Sequence, residues 1–185
     1  MRIISGTHKG RRIQTPKNLP VRPTTDLSKE SLFNILNNHF NLNELKVLDL
    51  FAGTGNISFE FASRGAAPII SVDENYNCIS FIKKTADNLK MDITVIKSDV
   101  FKFLEKNKNT YDIIFADPPY DMEQKNLEKI ITLVFENNLL DTEGMLIIEH
   151  SKHIVLEHLP YFSFDKRYGG SVFSFFEFID EDDEE

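Results

Sequence analysis

From Lys46 onward the chain alternates short apolar runs with stretches in which apolar residues fall on one helical face. The apolar runs predict strands near residues 46–51, 69–73, 92–97, 111–116 and 144–149. Between them, two stretches place their apolar residues on one face of a helix: Ile79, Ile82, Ala86 and Leu89 in the first, and Leu127, Ile130, Ile131 and Val134 in the second. Strands that alternate with amphipathic helices predict a parallel sheet covered by helices.

The C-terminal pattern is different. Two aromatic-rich runs, 161–167 and 172–179, flank the turn-forming sequence from Tyr168 to Ser171, which predicts an antiparallel hairpin at one edge of the sheet. The predicted fold is therefore α/β and Rossmann-like, with a seven-stranded mixed sheet, helices on both faces and a C-terminal antiparallel hairpin.

The N-terminal segment is rich in glycine and proline. Short β-prone pieces at 2–4 and 11–14 predict a small hairpin. The residues that follow, up to residue 25, are predicted to form an extended strap. A cap at Thr25 or Asp26 then starts a helix that is predicted to reach about Asn38. The predicted organisation is an N-terminal hairpin and strap over 1–25, an α/β domain over 26–179 and an acidic tail over 180–185.

Length and composition narrow the class of protein. A chain of 185 residues has room for one domain with a proper core, and its mean hydropathy of -0.27 argues against a membrane protein. The N-terminus has no apolar region like that of a signal peptide, and Cys78 is the single cysteine. We therefore expect a cytoplasmic protein with no metal site and no membrane partner, and a monomer as the simplest state.

Charge is distributed unevenly along the chain. The net charge is -8, yet the first 25 residues contain six cations and no acid, whereas seven of the nine residues from Glu177 to Glu185 are acidic. The basic segment suggests contacts with phosphates through Lys9, Arg11, Arg12 and Lys17, although a solvated basic surface is the alternative. For the tail, a disordered solubilising end is favoured over mimicry of a phosphate chain.

A glycine turn follows the first predicted strand and suggests a nucleotide-like ligand. The candidate cofactor residues of this turn are Phe51, Ala52, Gly53, Thr54 and Gly55. Ser58 stands where the dinucleotide fingerprint requires its third glycine, so a dehydrogenase is disfavoured.

Three acids near successive strand ends extend this candidate site. Asp73 is placed to bind a ribose diol and Asp99 an adenine amino group, while Asp49, inside the strand, would suit the α-amino group of a methionine moiety. Because the turn contains no base to neutralise a phosphate, the set favours a cationic adenosyl ligand, S-adenosylmethionine. Ordinary helix capping is the alternative role for each acid taken singly.

The most specific motif is Asp117-Pro118-Pro119-Tyr120, which follows the strand predicted over 111–116. Two prolines make the loop rigid and leave the Pro118 carbonyl free to accept a hydrogen bond. Asp117 and this carbonyl would accept the two N–H groups of an aromatic exocyclic amine and aim its nitrogen at a methyl donor. Tyr120 offers a ring on which an unstacked base can lie. A simple strand end is the alternative interpretation.

With both sites located, the chain resembles the bacterial family of 16S ribosomal RNA guanine-N2 methyltransferases that act on position 966. The resemblance rests on the following segments: Arg2-Ile3-Ile4-Ser5-Gly6, Lys9-Gly10-Arg11, Arg22-Pro23-Thr24-Thr25-Asp26, Lys29-Glu30-Ser31-Leu32-Phe33-Asn34, Leu48-Asp49-Leu50-Phe51-Ala52-Gly53-Thr54-Gly55, Ser63-Arg64-Gly65-Ala66 and Asp117-Pro118-Pro119-Tyr120. The chain departs from the family pattern in its acidic tail and in Asn56-Ile57-Ser58.

This resemblance implies a class I methyltransferase with S-adenosylmethionine as donor. Its implied target is a guanine in the 30S subunit or in an assembly intermediate, and its implied RNA contact is the basic N-terminal hairpin. The segment that contains Arg22 and Thr24 should border the cofactor and target pocket, with Pro119 on the substrate side. Two alternatives stay open: a DNA adenine-N6 methyltransferase, which would use the same loop, and a non-catalytic RNA-binding assembly factor.

Overall fold

The computed structural model describes residues 1–22 and 24–179, so the predicted tail over 180–185 lies outside the described residues. The chain forms two compact units, one over Met1–Val100 and the other from Phe101 onward. The helices are α1 (Asp26–His39), α2 (Asn56–Ser63), α3 (Tyr76–Leu89), α4 (Val100–Lys106) and α5 (Gln124–Glu136). The strands are β1 (Val47–Leu50), β2 (Ile69–Asp73), β3 (Ile93–Lys97), β4 (Tyr111–Ala116), β5 (Leu140–Ser151), β6 (Phe162–Tyr168) and β7 (Ser171–Phe176).

The strands form a seven-stranded sheet in the order β3-β2-β1-β4-β5-β7-β6. In the first unit, β1 pairs with β2 and β2 with β3, both in parallel. In the second unit β4 and β5 are parallel, whereas β7 runs antiparallel to both β5 and β6. These pairings confirm the predicted mixed sheet and its C-terminal hairpin.

Local sequence explains where the helices begin. The Thr25 side chain accepts a hydrogen bond from the Ser28 N–H and caps α1, and Asn75 caps α3 in the same way. Gly55 precedes α2 in a left-handed conformation, with φ of 78°. Its absent Cβ would lie 2.9 Å from the Phe59 ring and 3.0 Å from Ile82, so close packing as well as backbone angle requires a glycine there.

The N-terminal hairpin is joined to the first unit by buried contacts. Backbone hydrogen bonds join Ile3 to Arg11 and Ile13 to Met1, and the Ile3 and Ile13 side chains pack with Phe59 in one apolar cluster. At Gly6 the backbone passes so close to α2 that a Cβ would lie 1.8 Å from the Ser63 carbonyl oxygen. The predicted hairpin is therefore packed against the α/β core.

Element boundaries differ from the prediction mainly at β5. The apolar pattern predicts a strand over 144–149, whereas β5 extends from Leu140 to Ser151. Leu140 is buried and pairs with Tyr111, whereas residues 141–143 are polar and lie where the register shifts before Ile113 pairs with Met145. Backbone pairing across an irregularity of this kind leaves no apolar signature in the sequence.

Candidate active site and cofactor turn

The glycine turn after β1 uses its own backbone groups for internal hydrogen bonds. The Gly53 N–H donates to the Asp73 carboxylate at 2.9 Å, and the Gly55 N–H donates to the Ala52 carbonyl at 2.8 Å. Phe51 has a positive φ of 57°, which is uncommon for a side chain of its size. Both glycine N–H groups are therefore engaged within the fold and are not donors for a pyrophosphate.

Asp49 is fully buried within β1, and a serine network surrounds it. Its carboxylate accepts a hydrogen bond of 2.6 Å from the Ser58 hydroxyl, which in turn lies 2.6 Å from the Ser71 hydroxyl. Burial raises the pKa of Asp49 from 3.8 to about 7, while the hydrogen bonds from Ser58 lower it. Ser58, which occupies the third glycine position of the dinucleotide fingerprint, is therefore a direct partner of Asp49.

Asp73 connects the end of β2 to the glycine turn. One carboxylate oxygen accepts from Gly53, and the other accepts from the Asn75 N–H at 2.8 Å. The side chain stays half-buried, and each carboxylate oxygen has a second lone pair for a ribose hydroxyl. Asp99 is also half-buried and follows β3 by two residues.

These residues fit a cationic adenosyl ligand. No lysine or arginine occurs between Val47 and Ser63, and the two carboxylates that border the turn, Asp49 and Asp73, accept their hydrogen bonds from Ser58, Gly53 and Asn75. Thr54 is half-buried and donates weakly to the Met1 sulfur at 3.9 Å, so the hairpin's first residue also contacts this turn.

The second unit positions the predicted catalytic loop. Asp117-Pro118-Pro119-Tyr120 follows β4 directly, with Pro118 buried, Pro119 exposed and Asp117 half-buried. The Tyr120 ring is 50% exposed, and its hydroxyl donates to the Gly170 carbonyl at 2.7 Å. Gly170 lies in the turn between β6 and β7, so the C-terminal hairpin fixes the ring while leaving its surface open to solvent.

The predicted RNA contacts are on the surface of the first unit. Lys9, Arg11 and Arg12 are exposed on the hairpin, Arg22 is exposed on the strap, and Thr24 is half-buried. His8, also on the hairpin, lies 3.1 Å from the Leu89 carbonyl through its Nε2 atom. His8 therefore helps to attach the hairpin to α3.

A buried polar cluster that the sequence pattern did not predict holds the hairpin in place. The Glu60 carboxylate accepts from the N–H groups of Ile4 and Ser5 at 2.9 and 3.0 Å and also binds Lys29 and Arg64. Lys29 and Glu60 are both fully buried, and Lys29 also donates to Asn56. The sequence does contain a sign that Lys29 is buried, because Lys29 precedes Leu32, Phe33 and Leu36 on the apolar face of α1.

Over residues 1–22 and 24–179, no group of three or more His, Cys, Asp or Glu residues is arranged to hold a metal ion. In the same part of the chain, every helix is too short or too polar to span a membrane.

The fold and the glycine turn define a class I methyltransferase. The solved structure of the Escherichia coli protein yhhF matches with a TM-score of 0.82 and 30% identity, over 95% of this chain and 96% of that one. A Thermus thermophilus 16S rRNA N2 G1207 methyltransferase in complex with AdoMet and guanosine matches with a TM-score of 0.69 over 86% of this chain and 45% of that one. At 18% identity, the second match shows the fold alone.

The chain belongs to the family described as Conserved hypothetical protein 95, whose model matches residues 1–177. A curated relative is Ribosomal RNA small subunit methyltransferase D of Escherichia coli. It is 32% identical over 161 residues, which cover 86% of this chain and 79% of the relative. The family resemblance seen in the sequence is therefore confirmed.

Proposed function

We propose that the chain transfers a methyl group from S-adenosylmethionine to the exocyclic N2 amine of a guanine in 16S rRNA. The observation that supports this most directly is the rigid Asp117-Pro118-Pro119-Tyr120 loop at the carboxyl end of β4, whose exposed aromatic ring is fixed to Gly170. Family membership supports ribosomal RNA as the substrate, since relatives carry the name Ribosomal RNA small subunit methyltransferase D.

In the proposed site the first unit binds the donor. Asp73 would accept hydrogen bonds from the ribose hydroxyls, Asp99 from the adenine amine, and Asp49 would face the α-amino group of the methionine moiety. S-adenosylmethionine supplies an electrophilic methyl group on a positively charged sulfur. Phe51, Ala52, Gly53, Thr54 and Gly55 shape the turn that borders it.

The loop after β4 prepares the nucleophile. The Asp117 carboxylate and the Pro118 carbonyl would each accept one N–H of the guanine amine, which directs its nitrogen lone pair away from the ring. Asp117 then stabilises the positive charge that develops on this nitrogen and helps to remove its proton. The Tyr120 ring, with Pro119 beside it, would stack on the base after it leaves its own stack.

RNA binding is assigned to the basic N-terminal segment. Lys9, Arg11 and Arg12 would bind phosphates, while Arg22 and Thr24 border the target pocket. Such contacts provide affinity without base specificity. The expected substrate is the 30S subunit or its assembly intermediate, and the expected active form is a monomer in the cytoplasm.

The test is methyl transfer from labelled S-adenosylmethionine to 30S subunits from a strain that lacks the enzyme. Wild-type protein should form N2-methylguanosine, identified by mass spectrometry of the nucleosides. Asp117→Ala should lower the rate by about a hundredfold or more while RNA binding persists. Asp121→Ala is the matched control, since Asp121 is exposed and follows the motif by one residue. Absence of transfer by the wild-type protein, or methyladenine as the product, would reject the proposal.

A second pair of variants tests the role of Tyr120. Tyr120→Phe keeps the ring and loses the hydroxyl with its hydrogen bond to Gly170, so its rate should stay within a few-fold of wild type. Tyr120→Leu loses the stacking surface, and we expect a loss of about tenfold in kcat/KM. Equal losses in both variants would show that the hydroxyl, and not the ring, is what the loop requires.

A further inference from the structure

A polar cleft lies in the first unit between the N-terminal hairpin and α1. It has a volume of about 430 Å³ and is separate from the glycine turn and from Asp73 and Asp99. That volume falls within the range of about 300–1,000 Å³ that is usual for small-molecule sites. Its lining includes three basic side chains, Arg2, Lys9 and Arg64, one acid, Glu30, and the amides of Asn34 and Asn37.

The cleft has a rigid wall with excess positive charge beneath it. Glu60 is shared by two cations, Lys29 at 3.2 Å and Arg64 at 2.8 Å, so one positive charge of this cluster is not neutralised within it. The Arg64 guanidinium also lies over the Phe33 ring, 4.5 Å from its centroid, which restricts its orientation. Arg2 pairs with Asp26 at 3.3 Å where both are about half-exposed, and Lys9 is exposed. Lys9 and the charge left over at Glu60 still outnumber Glu30, the acid in this lining, so an anionic group is the favoured occupant.

The opposite wall is a helix face suited to a heterocyclic base. Asn34 and Asn37 are exposed and three positions apart, and Glu30 lies four positions before Asn34, so all three occupy one face of α1. Each asparagine amide has donors and an acceptor side by side, which is the arrangement that pairs with a base edge. In RNA such edges are available in single-stranded segments.

We propose that this cleft binds one nucleotide of a single-stranded RNA segment, distinct from the nucleotide that is methylated. The phosphate lies against Lys9 and Arg64, and the base edge pairs with the amides of Asn34 and Asn37. The inference rests on the proposed function only for the choice of RNA as the partner. It makes the hairpin and α1 a joint recognition surface, in which the hairpin binds backbone and the helix reads a base.

Cross-linking tests occupancy of the cleft without measuring methylation. Asn37→Cys can be labelled selectively with a photo-reactive group, because the natural cysteine, Cys78, is buried. The probes are 30S subunits from a strain lacking the enzyme and a short single-stranded oligoribonucleotide. The labelled protein should cross-link to both, whereas Asn88→Cys, at an exposed asparagine of α3, should not. Absence of a cross-link from a protein that still binds 30S subunits would overturn the proposal.

Binding measurements separate base contact from phosphate contact. Asn34→Ala combined with Asn37→Ala should weaken oligoribonucleotide binding about tenfold with an unchanged salt dependence. Lys9→Gln should lower the slope of log affinity against log salt by about one. The control pair Asn38→Ala with Asn88→Ala should bind like wild type, since both residues are exposed on helices and neither lines the cleft.

Competition and activity measurements complete the test. An oligoglutamate peptide of matched charge should displace RNA poorly, and efficient displacement would indicate an acidic protein partner and overturn the proposal. If the labelled Asn37→Cys variant cross-links to RNA but the wild-type protein methylates no guanine, the proposed function fails and the cleft assignment stands. If methylation is normal but Asn34→Ala combined with Asn37→Ala binds the oligoribonucleotide like wild type, the proposed function stands and the cleft assignment fails.

Discussion

The N-terminal and C-terminal hairpins are held by opposite means. The first, over Met1–Ile13, is attached to α2 by a buried carboxylate, which contacts two backbone N–H groups and two cations. The second, β6 with β7, is held by a continuous backbone ladder and by aromatic pairs such as Phe164 stacked on Phe175 at 4.3 Å. The first hairpin also packs through Ile3 and Ile13, but its buried ion pairs should make single polar substitutions costly, whereas the loss of one of the many apolar contacts of the second should cost less.

The largest effect is expected at Glu60. Glu60→Gln leaves Lys29 as a buried cation without its carboxylate, so we expect a loss of about 3–5 kcal/mol in the free energy of unfolding. Urea unfolding followed by circular dichroism measures it. Glu105→Gln removes the half-exposed partner of Lys129 and should cost less than about 1 kcal/mol. Similar losses in the two variants would contradict the role given to the buried cluster.

The next largest effect is expected at Gly6, where the hairpin meets α2. Gly6→Ala places a methyl group 1.8 Å from the Ser63 carbonyl oxygen and also strains a φ of 85°. Gly10→Ala is a close control, because its φ of 81° is equally positive but the space beside it is open. We expect about 1 kcal/mol for Gly10→Ala and about 2–4 kcal/mol for Gly6→Ala, with faster amide exchange in residues 1–13 for the latter. Equal costs would mean that the close approach contributes nothing.

Buried charge on the N-terminal side also predicts a pH dependence. Burial raises the pKa of Asp49 to about 7 from 3.8, so between these values the folded protein binds more protons than the unfolded chain. Stability should therefore fall as pH rises through this window, by on the order of 2 kcal/mol between about pH 5 and pH 8. Asp49→Asn should remove this fall in stability. An unchanged pH profile in this variant would show that another group causes the dependence.

The smallest effect is expected in the C-terminal hairpin. Phe164→Ala removes one half-buried ring from an edge strand, while the neighbouring aromatic pair of Phe162 and Phe176 remains. A loss of about 1–2 kcal/mol follows from the stacking and the buried area of one such ring. A loss as large as that of Glu60→Gln would contradict the contrast between the two hairpins.

Sequence reasoning located most of the fold because parallel sheets leave strong periodic patterns. The predicted strands over 69–73 and 111–116 have the observed bounds, and the glycine pair of the β6–β7 turn marks that hairpin directly. The sequence did not predict the first residues of β5, because backbone pairing and not an apolar pattern defines the strand there. It also could not assign partners to charged residues, because partners such as Lys29 and Glu60 are separated by about thirty residues along the chain.

By itself the sequence determined the fold class, the methyltransferase family and the motif proposed for catalysis, because these depend on local periodicity and on short contiguous segments. Only the tertiary structure decided how the acids are used: Asp49 is bound by Ser58, Asp73 supports the glycine turn, and Glu60 holds the hairpin. It alone revealed the cleft beside Asn34 and Asn37. The physical reason is that burial and hydrogen-bond geometry depend on long-range packing, which no local pattern in the sequence encodes.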